Sequence, residues 1–403
     1  MTTFLGIDAN VWVIILTAIV VIETLVLIFL TIKQRKSSSG IDPITVGLFE
    51  KILEKVPTPL NMKEGPFLLK EDIKKLEKKT PLIGEMKGLF DLNLLIKLGN
   101  IEYIQGNLQI ALTYFDEALR KARYIGDSKS SGICLSSIGL IHKTKGDIDT
   151  ALRYYQEALE INRDIGYKEG EAIALGNIGN AYRDKGDPDN TLRYYQEALE
   201  INRDIGNRKG EAIALGNIGI VYRDRGDLDT ALRYYQEALE INRDIGNRKG
   251  EAIDLGNIGN ANRDKGDLNT ALSYYQEALR IDRSTGHRKG EATNLGNIGN
   301  TYLQKDDLDT ALKYYQEALR IDRSTGYRKG EAIDLGNIGN TYLQKGDLNT
   351  ALRYYQEALE INRNISNRKG ELLNLDSIAT IYENKGDPDR AEKYQKEANK
   401  LRK

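Results

Sequence analysis

The 403-residue sequence has few of the side chains that form disulfides, metal sites or catalytic pairs. It contains one cysteine, Cys134, and two histidines, His142 and His287, which lie far apart along the chain. A single cysteine excludes an intramolecular disulfide, and these three residues form no cluster of metal ligands in the sequence. We therefore predict neither a metal nor a cofactor, and the shortage of cysteine fits a reducing compartment.

Net charge is also nearly absent, because 58 Lys and Arg residues are balanced by 59 Asp and Glu residues. A chain without excess positive charge has no overall field that attracts nucleic acid, so we predict no nucleic-acid partner. The sequence has no nucleophile paired with a base and no phosphate-binding loop. We therefore predict that the protein is not an enzyme.

One long hydrophobic run is present at residues 11–32, VWVIILTAIVVIETLVLIFLTI. At about 1.5 Å per residue, a helix of this length crosses a hydrocarbon core of about 30 Å. Positive charge follows the run, at Lys33, Arg35 and Lys36, whereas a cleaved signal peptide carries it in front. The pattern predicts a single transmembrane helix, with residues 1–10 extracytoplasmic and the chain after the helix in the cytoplasm.

Residues 33–90 combine a linker, QRKSSSG, with two short juxtamembrane segments of amphipathic pattern. The second segment has Leu69, Ile73 and Leu76 on one side and five lysines on the other. We interpret both as helices that cap the apolar end of the array that follows, since terminal repeats need a polar cover. Contact with anionic lipid headgroups is the alternative.

A strict 40-residue period occupies residues 91–403 and places a leucine at the same point of eight consecutive units. These leucines are Leu95, Leu135, Leu175, Leu215, Leu255, Leu295, Leu335 and Leu375. In the unit 171–210, apolar residues recur at helical spacing in two segments. Gly186 suits the end of the first helix, Asp187 the cap of the second and Pro188 its first turn. Each unit is therefore predicted to be a helical hairpin.

Small and large residues recur at fixed positions of the unit, counted from Ala172 as position 1. The large ones are Leu175, Ile178, Tyr182 and Tyr195 at positions 4, 7, 11 and 24, and the small ones are Gly179 and Ala198 at positions 8 and 27. This pattern resembles the tetratricopeptide repeat, in which small residues let two helices approach and large ones fill the remaining space. The resemblance implies an all-α fold, a right-handed superhelix or α-solenoid of helical hairpins.

The unit departs from the family pattern at position 32, where Arg203 stands in place of the usual proline. The second helix is therefore expected to continue through INRDI towards Gly206. Long second helices of this kind are similar to those of the Pins/LGN-type adaptors and, less closely, of the kinesin light chains.

The resemblance also implies a concave surface, lined by positions 2, 5, 6, 9, 12 and 13 of each first helix. The recurrent stretch LGNIGN places Gly176 at position 5, Asn177 at position 6 and Asn180 at position 9. A glycine inside a helix costs about 1 kcal/mol relative to alanine, so Gly176 indicates a close approach to the backbone. A carboxamide can donate to and accept from the backbone of an extended peptide, and the resemblance implies such an asparagine ladder.

The predicted peptide-binding groove is centred on repeats three to seven. Its asparagines are Asn177, Asn217, Asn257, Asn297 and Asn337 at position 6, and Asn180, Asn260, Asn300 and Asn340 at position 9. Positions 12 and 13 add a charged half, Arg183, Asp184, Arg223, Asp224, Arg263 and Asp264, and then a more apolar half, Leu303 and Leu343. Duplication without a ligand is the alternative for the asparagines, and mutual neutralisation is the alternative for the charged pairs.

Four other features are given structural interpretations. The recurrent RKG, first seen at Arg208, forms a row that could meet phosphate or lipid, but the glutamate after it favours a solvated polar edge. Tyrosine pairs such as Tyr194 and Tyr195 are predicted to be core, Cys134 and His142 are predicted to pack inside the hairpin, and GDLDT is predicted to cap a helix.

Together these observations favour a membrane-anchored cytoplasmic scaffold or adaptor that binds an extended peptide segment of client proteins in the concave groove. The expected localisation is that of a single-pass membrane protein with its repeats facing the cytoplasm. The alternative is a structural subunit that uses the array for self-association as a homo-oligomer, or for the assembly of a membrane complex.

Overall fold

The computed structural model describes residues 92–104 and 106–402, which form sixteen α-helices and no strand. In chain order they are α1 (Leu92–Ile104), α2 (Leu108–Ile125), α3 (Ser128–Thr144), α4 (Ile148–Asp164), α5 (Lys168–Lys185), α6 (Pro188–Asp204), α7 (Arg208–Asp224), α8 (Leu228–Asp244), α9 (Arg248–Asp264), α10 (Leu268–Thr285), α11 (Arg288–Gln304), α12 (Leu308–Thr325), α13 (Arg328–Gln344), α14 (Leu348–Asn364), α15 (Arg368–Asn384) and α16 (Pro388–Arg402). Each odd-numbered helix pairs with the even-numbered helix after it, which gives eight hairpins in one compact unit. We number these hairpins as repeats one to eight, so that repeat three begins with α5 and repeat four with α7. The predicted all-α solenoid of helical hairpins is confirmed.

The predictions for the N-terminal part of the chain lie outside the described residues. They are the extracytoplasmic segment 1–10, the transmembrane helix 11–32, and the linker and capping helices of residues 33–90. Among the residues that are described, no helix is both long enough and apolar enough to cross a membrane.

The helix boundaries follow from local sequence signals. Gly186 ends α5 in the left-handed conformation, with a φ of +75°, and the next amide, that of Asp187, donates to the carbonyl of Tyr182. The Asp187 carboxylate accepts from the amide of Asn190 at 3.1 Å, and Pro188 occupies the first turn of α6. The predicted sequence of helix end, cap and first turn is confirmed. GDLDT behaves in the same way, since Asp227 caps α8.

The core repeats with the period of the sequence. Leu175 and Tyr195 are completely buried, and a Cβ built on Gly179 would lie 2.6 Å from Cδ1 and Cε1 of Tyr195. No side chain fits at that distance, which confirms Gly179 as the packing glycine of its hairpin. Tyr194 is only partly buried and stacks on Tyr182, with ring centroids 5.4 Å apart.

Repeat two carries the two unusual core residues. Cys134 is buried in the array, and its burial raises the pKa of the thiol to about 12. His142 stacks on Tyr154 with centroids 5.5 Å apart, the position that Tyr182 takes on Tyr194 in the next repeat. Both residues therefore pack inside the hairpin, as the alignment of repeats predicts.

Arg203, at the position of the missing proline, ties consecutive hairpins together. Its Nε donates to the buried Glu211 at 2.9 Å, and its NH2 group bonds to Glu237 of the following repeat. Arg208 completes the ion pairing of Glu211. The same arrangement recurs at Arg163, where hydrogen bonds from two cations overcome the effect of burial and hold the pKa of Glu171 below its usual value. The RKG arginines of repeats four to seven are thus structural, in agreement with the polar-edge interpretation.

Candidate functional site

The odd-numbered helices also contact one another from repeat to repeat, and they present a common surface. We define the first-helix face as positions 2, 5, 6 and 9 of these helices. A depression of about 320 Å³ lies on this face between α9 and α11. Its lining includes Ile253, Gly256, Asn257 and Asn260 from α9, and Thr293 and Asn297 from α11. The structure therefore brings predicted groove residues from two repeats into one site.

The first-helix face has a second depression earlier in the array. A depression of about 240 Å³ between α3 and α5 is lined by Ile133, Leu140, Ile173 and Asn177, among others. These residues occupy the same positions as those between α9 and α11. The site is consequently a repeating surface rather than one isolated pocket.

The asparagines at position 6 keep their side chains available. Asn177, Asn217, Asn257, Asn297 and Asn337 are all partly exposed. None of their side-chain amides has a hydrogen-bond partner among the described residues. Each amide therefore retains a donor and an acceptor that a ligand can use.

The asparagines at position 9 have an additional role that the sequence reasoning missed. Oδ1 of Asn180 accepts a hydrogen bond of 2.8 Å from the hydroxyl of the buried Tyr195. The equivalent bonds join Tyr275 to Asn260 at 2.8 Å and Tyr315 to Asn300 at 2.7 Å. Tyr355 and Asn340 form a fourth pair. The acceptor of these amides is thus engaged by the core, while the Nδ2 group remains able to donate.

Natural variation within the array supports this role. Position 9 is Leu140 in repeat two and Ile220 in repeat four. In those two repeats the hydroxyls of Tyr155 and Tyr235 are buried without a hydrogen-bond partner in the part of the chain that is described. The tyrosine hydroxyl is therefore satisfied only where asparagine stands at position 9. A correlation between these two positions across the repeats is the sequence signal for this contact.

Packing within the array does not require glycine at position 5. A Cβ built on Gly176 would have no atom within 4 Å, and one on Gly216 would lie 3.6 Å from Oδ1 of Asp254. The tightest of the set is Gly256, whose Cβ would lie 3.3 Å from Oδ1 of Asn294. The described neighbours thus leave the backbone of α5 open at Gly176, where a ligand would have direct access to it.

Position 2 adds an apolar row that the predicted site does not include. Ile173, Ile213, Ile253 and Ile333 are 50% to 56% exposed although they are large and apolar. Such a row on one surface marks a candidate contact region. Its sequence signal is an isoleucine two residues before each buried leucine of LGNIGN, interrupted by Thr293.

Several charged residues of positions 12 and 13 are paired, either across repeats or within one repeat. Nε of Arg223 lies 3.4 Å from Oδ2 of Asp264, and Arg263 also approaches Asp264, at 3.5 Å. Lys143 forms the equivalent contact with Asp184 at 2.8 Å. This geometry matches the mutual neutralisation that the sequence left open for Arg223, Arg263 and Asp264, whereas Arg183 has no ion pair in the described ranges.

The leucines at position 12 also take part in the core. Leu303 is partly buried against the apolar cluster that contains Leu335, and Leu343 packs in the same way against the cluster that contains Leu375. Each leucine therefore joins its own hairpin to the next one. Only part of the side chain is available to the first-helix face.

A buried polar pair lies at each interface from repeat four to repeat eight. Nδ2 of Asn242 donates to Asp254 at 2.7 Å, and Nδ2 of Asn294 donates to Asp282 at 2.8 Å. The interface between repeats six and seven instead has two carboxyl groups, Asp322 and Asp334, which are 3% and 5% exposed. Oδ1 of the first and Oδ2 of the second find no hydrogen-bond partner in the described ranges. Burial raises the pKa of Asp322 to about 6 and that of Asp334 to about 8.

The site as a whole offers amides, apolar side chains and open backbone. Within residues 92–104 and 106–402, no three His, Cys, Asp or Glu side chains group to hold a metal ion. The first-helix face can therefore provide hydrogen bonds and apolar contact over a length that grows with the number of repeats.

A stack of helical hairpins with such a face defines a class of repeat proteins whose extended surfaces serve binding. The chain belongs to the tetratricopeptide repeat family, which matches residues 90–164, 170–244, 251–324 and 331–403. No curated protein matches the sequence.

Solved structures of similar fold include a quorum sensor and two Rap proteins. The apo form of the quorum sensor NprR from B. thuringiensis superposes with a TM-score of 0.57 at 15% identity, covering 84% of this chain and 95% of that one. A Rap protein complexed with Competence and Sporulation Factor gives 0.56 at 16% identity, covering 89% and 97%. The Rap conjugation gene regulator of plasmid pLS20, in complex with the Phr* peptide, gives 0.56 at 17% identity, covering 87% and 94%. At such identities the likeness is one of fold.

Proposed function

We propose that the repeat array binds an extended peptide segment of a client protein along the first-helix face, and so acts as a scaffold or adaptor. The row of position-6 asparagines carries this proposal. Their amides are partly exposed and lack partners among the described residues, and those of Asn177, Asn257 and Asn297 line depressions together with exposed isoleucines. Amides in register can pair with the N–H and C=O groups of an extended backbone, and the isoleucines can contact its side chains.

Two further observations support the proposal. The open backbone at Gly176 leaves room for close approach of a ligand. Two structures of the same fold are complexes, one with Competence and Sporulation Factor and one with the Phr* peptide. From the complex with the Phr* peptide we carry over only the idea of a bound peptide, since identity below 20% supports no residue-by-residue correspondence.

The test begins with a random 16-residue peptide library displayed against the purified full-length chain. An enriched peptide is then titrated against the parent and against the triple variant Asn217→Ala, Asn257→Ala, Asn297→Ala. We expect binding to weaken by about 1 to 3 kcal/mol, because the peptide groups lose partners, while helix content measured by circular dichroism stays unchanged.

The matched control is the double variant Ser137→Ala, Ser377→Ala, which alters position 6 only in repeats outside the predicted centre. We expect this control to bind like the parent. Equal binding by the triple variant and the parent would reject the first-helix face as the peptide site. Stable self-association of the chain without any enriched peptide would support the structural-subunit alternative instead.

We propose in addition that residues 11–32 anchor the array to a membrane with the repeats in the cytoplasm. The support is the sequence alone, an apolar run followed by Lys33, Arg35 and Lys36. Protease added to sealed right-side-out vesicles should leave the repeats intact. Their digestion under those conditions would overturn the orientation.

A further inference from the structure

The basic residues of the recurrent RKG differ in their surroundings. The arginine is used internally, since Arg208 and Arg248 are each paired with a buried glutamate. The lysine beside it is exposed in five consecutive repeats, at Lys209, Lys249, Lys289, Lys329 and Lys369. None of these five lysines forms a salt bridge with any residue of the described ranges.

The lysines extend the first-helix face by one helical turn. Lys249, Ile253 and Asn257 are spaced four residues apart on α9, so they lie on one side of that helix. Lys249 and Lys289 both line the depression between α9 and α11. The ammonium groups therefore border the same surface as the amides and isoleucines.

In repeats four to seven, no exposed acidic side chain lies on this face beside the lysines. In repeats four to seven, positions 2, 5, 6 and 9 hold only isoleucine, threonine, glycine and asparagine. Asp282 lines the depression but is fully buried, and it is bonded to Asn294 and to His287, each at 2.8 Å. Lys289 lies 4.4 Å from the centroid of the Tyr327 ring. Repeats four to seven consequently each add one exposed positive charge to this face, whereas repeat eight carries Asp376 at position 5, where it pairs with Arg402 at 2.8 Å.

We propose that the segment bound on the first-helix face is acidic, with Asp or Glu side chains that meet the lysines of repeats four to eight. This inference rests on the proposed function and specifies the chemistry of its ligand. Apolar side chains of the segment contact the isoleucines, and its backbone pairs with the position-6 amides. Repeat three carries Glu169 at the equivalent place, so the acidic part of the ligand begins at repeat four.

A peptide fits this surface better than an anionic membrane does. Lys249 and Lys289 line a depression that also contains the unpartnered amides of Asn257 and Asn297, and a lipid headgroup would leave those amides unused. An extended acidic peptide uses the ammonium groups, the amides and the apolar row together.

The test uses peptides enriched from the random library on the full-length chain. We expect the enriched sequences to be rich in Asp and Glu. Replacing these residues by Asn and Gln should weaken binding roughly tenfold or more, and raising the salt concentration should weaken the acidic peptide selectively. The double variant Lys209→Glu, Lys249→Glu should weaken it by a similar factor.

The variants have internal precedents and a matched control. Glu169 at the equivalent place of repeat three indicates that the fold accepts glutamate there. The control Arg233→Glu, Lys313→Glu makes the same change of net charge at exposed positions of second helices, and it should bind like the parent. Circular dichroism of each variant checks the fold.

The outcomes separate this inference from the proposed function. Enrichment of neutral or basic peptides that still depend on Asn217, Asn257 and Asn297 would overturn the acidic ligand and keep the peptide groove. Equal binding of the enriched peptide by the lysine variant and its control would also overturn the acidic ligand and keep the peptide groove. Peptides indifferent to the asparagines would overturn both. Capture of phosphatidylserine vesicles through Lys209 and Lys249, with no peptide enriched, would assign the lysines to a membrane and also overturn the inference.

Discussion

The buried pair Asp322 and Asp334 predicts a stability that depends on pH at one particular interface. Every other polar pair of the kind seen from repeat four onward contains an asparagine that donates a hydrogen bond. Here both members are carboxyl groups with an unpartnered oxygen in the described part of the chain, so a proton is the only donor that the pair itself can supply. We expect the folded array to hold this proton at neutral pH and Asp334→Asn to remove the contribution of this pair, while that of Asp254, whose pKa burial raises to about 7, remains.

The direction follows from the raised pKa values. Both lie above the ordinary value of 3.8, at about 6 for Asp322 and about 8 for Asp334. Burial is the main cause for both, Glu331 adds to the effect at Asp322, and Lys289 opposes it. The folded state therefore binds more protons than the unfolded state, and the contribution of the pair is present at low pH and lost as pH rises through these values. One extra proton is worth about 1.4 kcal/mol per pH unit, so the loss between about pH 5 and pH 8 is on the order of 2 to 4 kcal/mol.

The assay is urea unfolding of the parent and of Asp334→Asn at about pH 5, 7 and 9. The variant imitates the neighbouring pair, in which Asn294 donates to Asp282. We expect it to be more stable than the parent at pH 9 by about 1 to 3 kcal/mol, with the difference shrinking towards pH 5. Hydrogen exchange of α12 and α13 localises the effect, which is useful because repeat arrays unfold in parts.

A gain-of-function control uses the next interface. Asn294→Asp creates a second pair of carboxyl groups, with Asp282, and should add a smaller loss of stability at high pH, because His287 still bonds to Asp282 at 2.8 Å. If the difference between Asp334→Asn and the parent is the same at pH 5 and pH 9, the pair holds no extra proton. If the Asn294→Asp variant and the parent differ in free energy of unfolding by the same amount at every pH, a buried carboxyl pair does not create the pH dependence.

Two further predictions concern stability and are measured by urea unfolding at one pH. Gly179→Ala should destabilise the array by about 1 to 3 kcal/mol because its Cβ meets the Tyr195 ring, whereas Gly176→Ala should be neutral or stabilise it by up to about 1 kcal/mol through helix propensity. If Gly179→Ala lowers the free energy of unfolding no more than Gly176→Ala does, the contact with the Tyr195 ring is relieved at little cost. Tyr195→Phe should cost about 1 kcal/mol, since the hydrogen bond to Asn180 is lost, while Tyr235→Phe should be neutral or slightly stabilising because its hydroxyl has no partner among the described residues. Equal costs for the two tyrosines would reject the role assigned to position 9.

Much of the fold is determined locally, and the sequence alone was sufficient to predict it. Gly186, Asp187 and Pro188 each act within one or two turns of helix, through backbone conformation and capping, so their effect can be read without knowing the tertiary structure. The core positions can also be predicted from the sequence, because a strict period repeats the same packing contacts in every hairpin. The contact between Gly179 and Tyr195 confirms this.

The candidate site was predictable only in part. The repeat predicts that the position-6 asparagines share a surface. It does not predict whether their side-chain amides are free of hydrogen-bond partners within the array. Asn177 and Asn180 are three residues apart on α5, yet the second is bonded to Tyr195 from the other helix of the hairpin. Leu303, assigned to the groove by its position, also packs against the next hairpin.

The tertiary structure decided which polar side chains are already occupied. A period in sequence specifies how far apart residues lie along a helix, whereas the partner of a polar group depends on how two hairpins stack. Arg203 reaches Glu237 across 34 residues, and Asp322 is brought against the repeat that contains Asp334. The sequence by itself therefore determined the hairpins, their number and their common face. The stacking of hairpins determined which arginines pair with buried glutamates, which lysines remain exposed, and where two carboxyl groups meet. Those contacts form only between repeats.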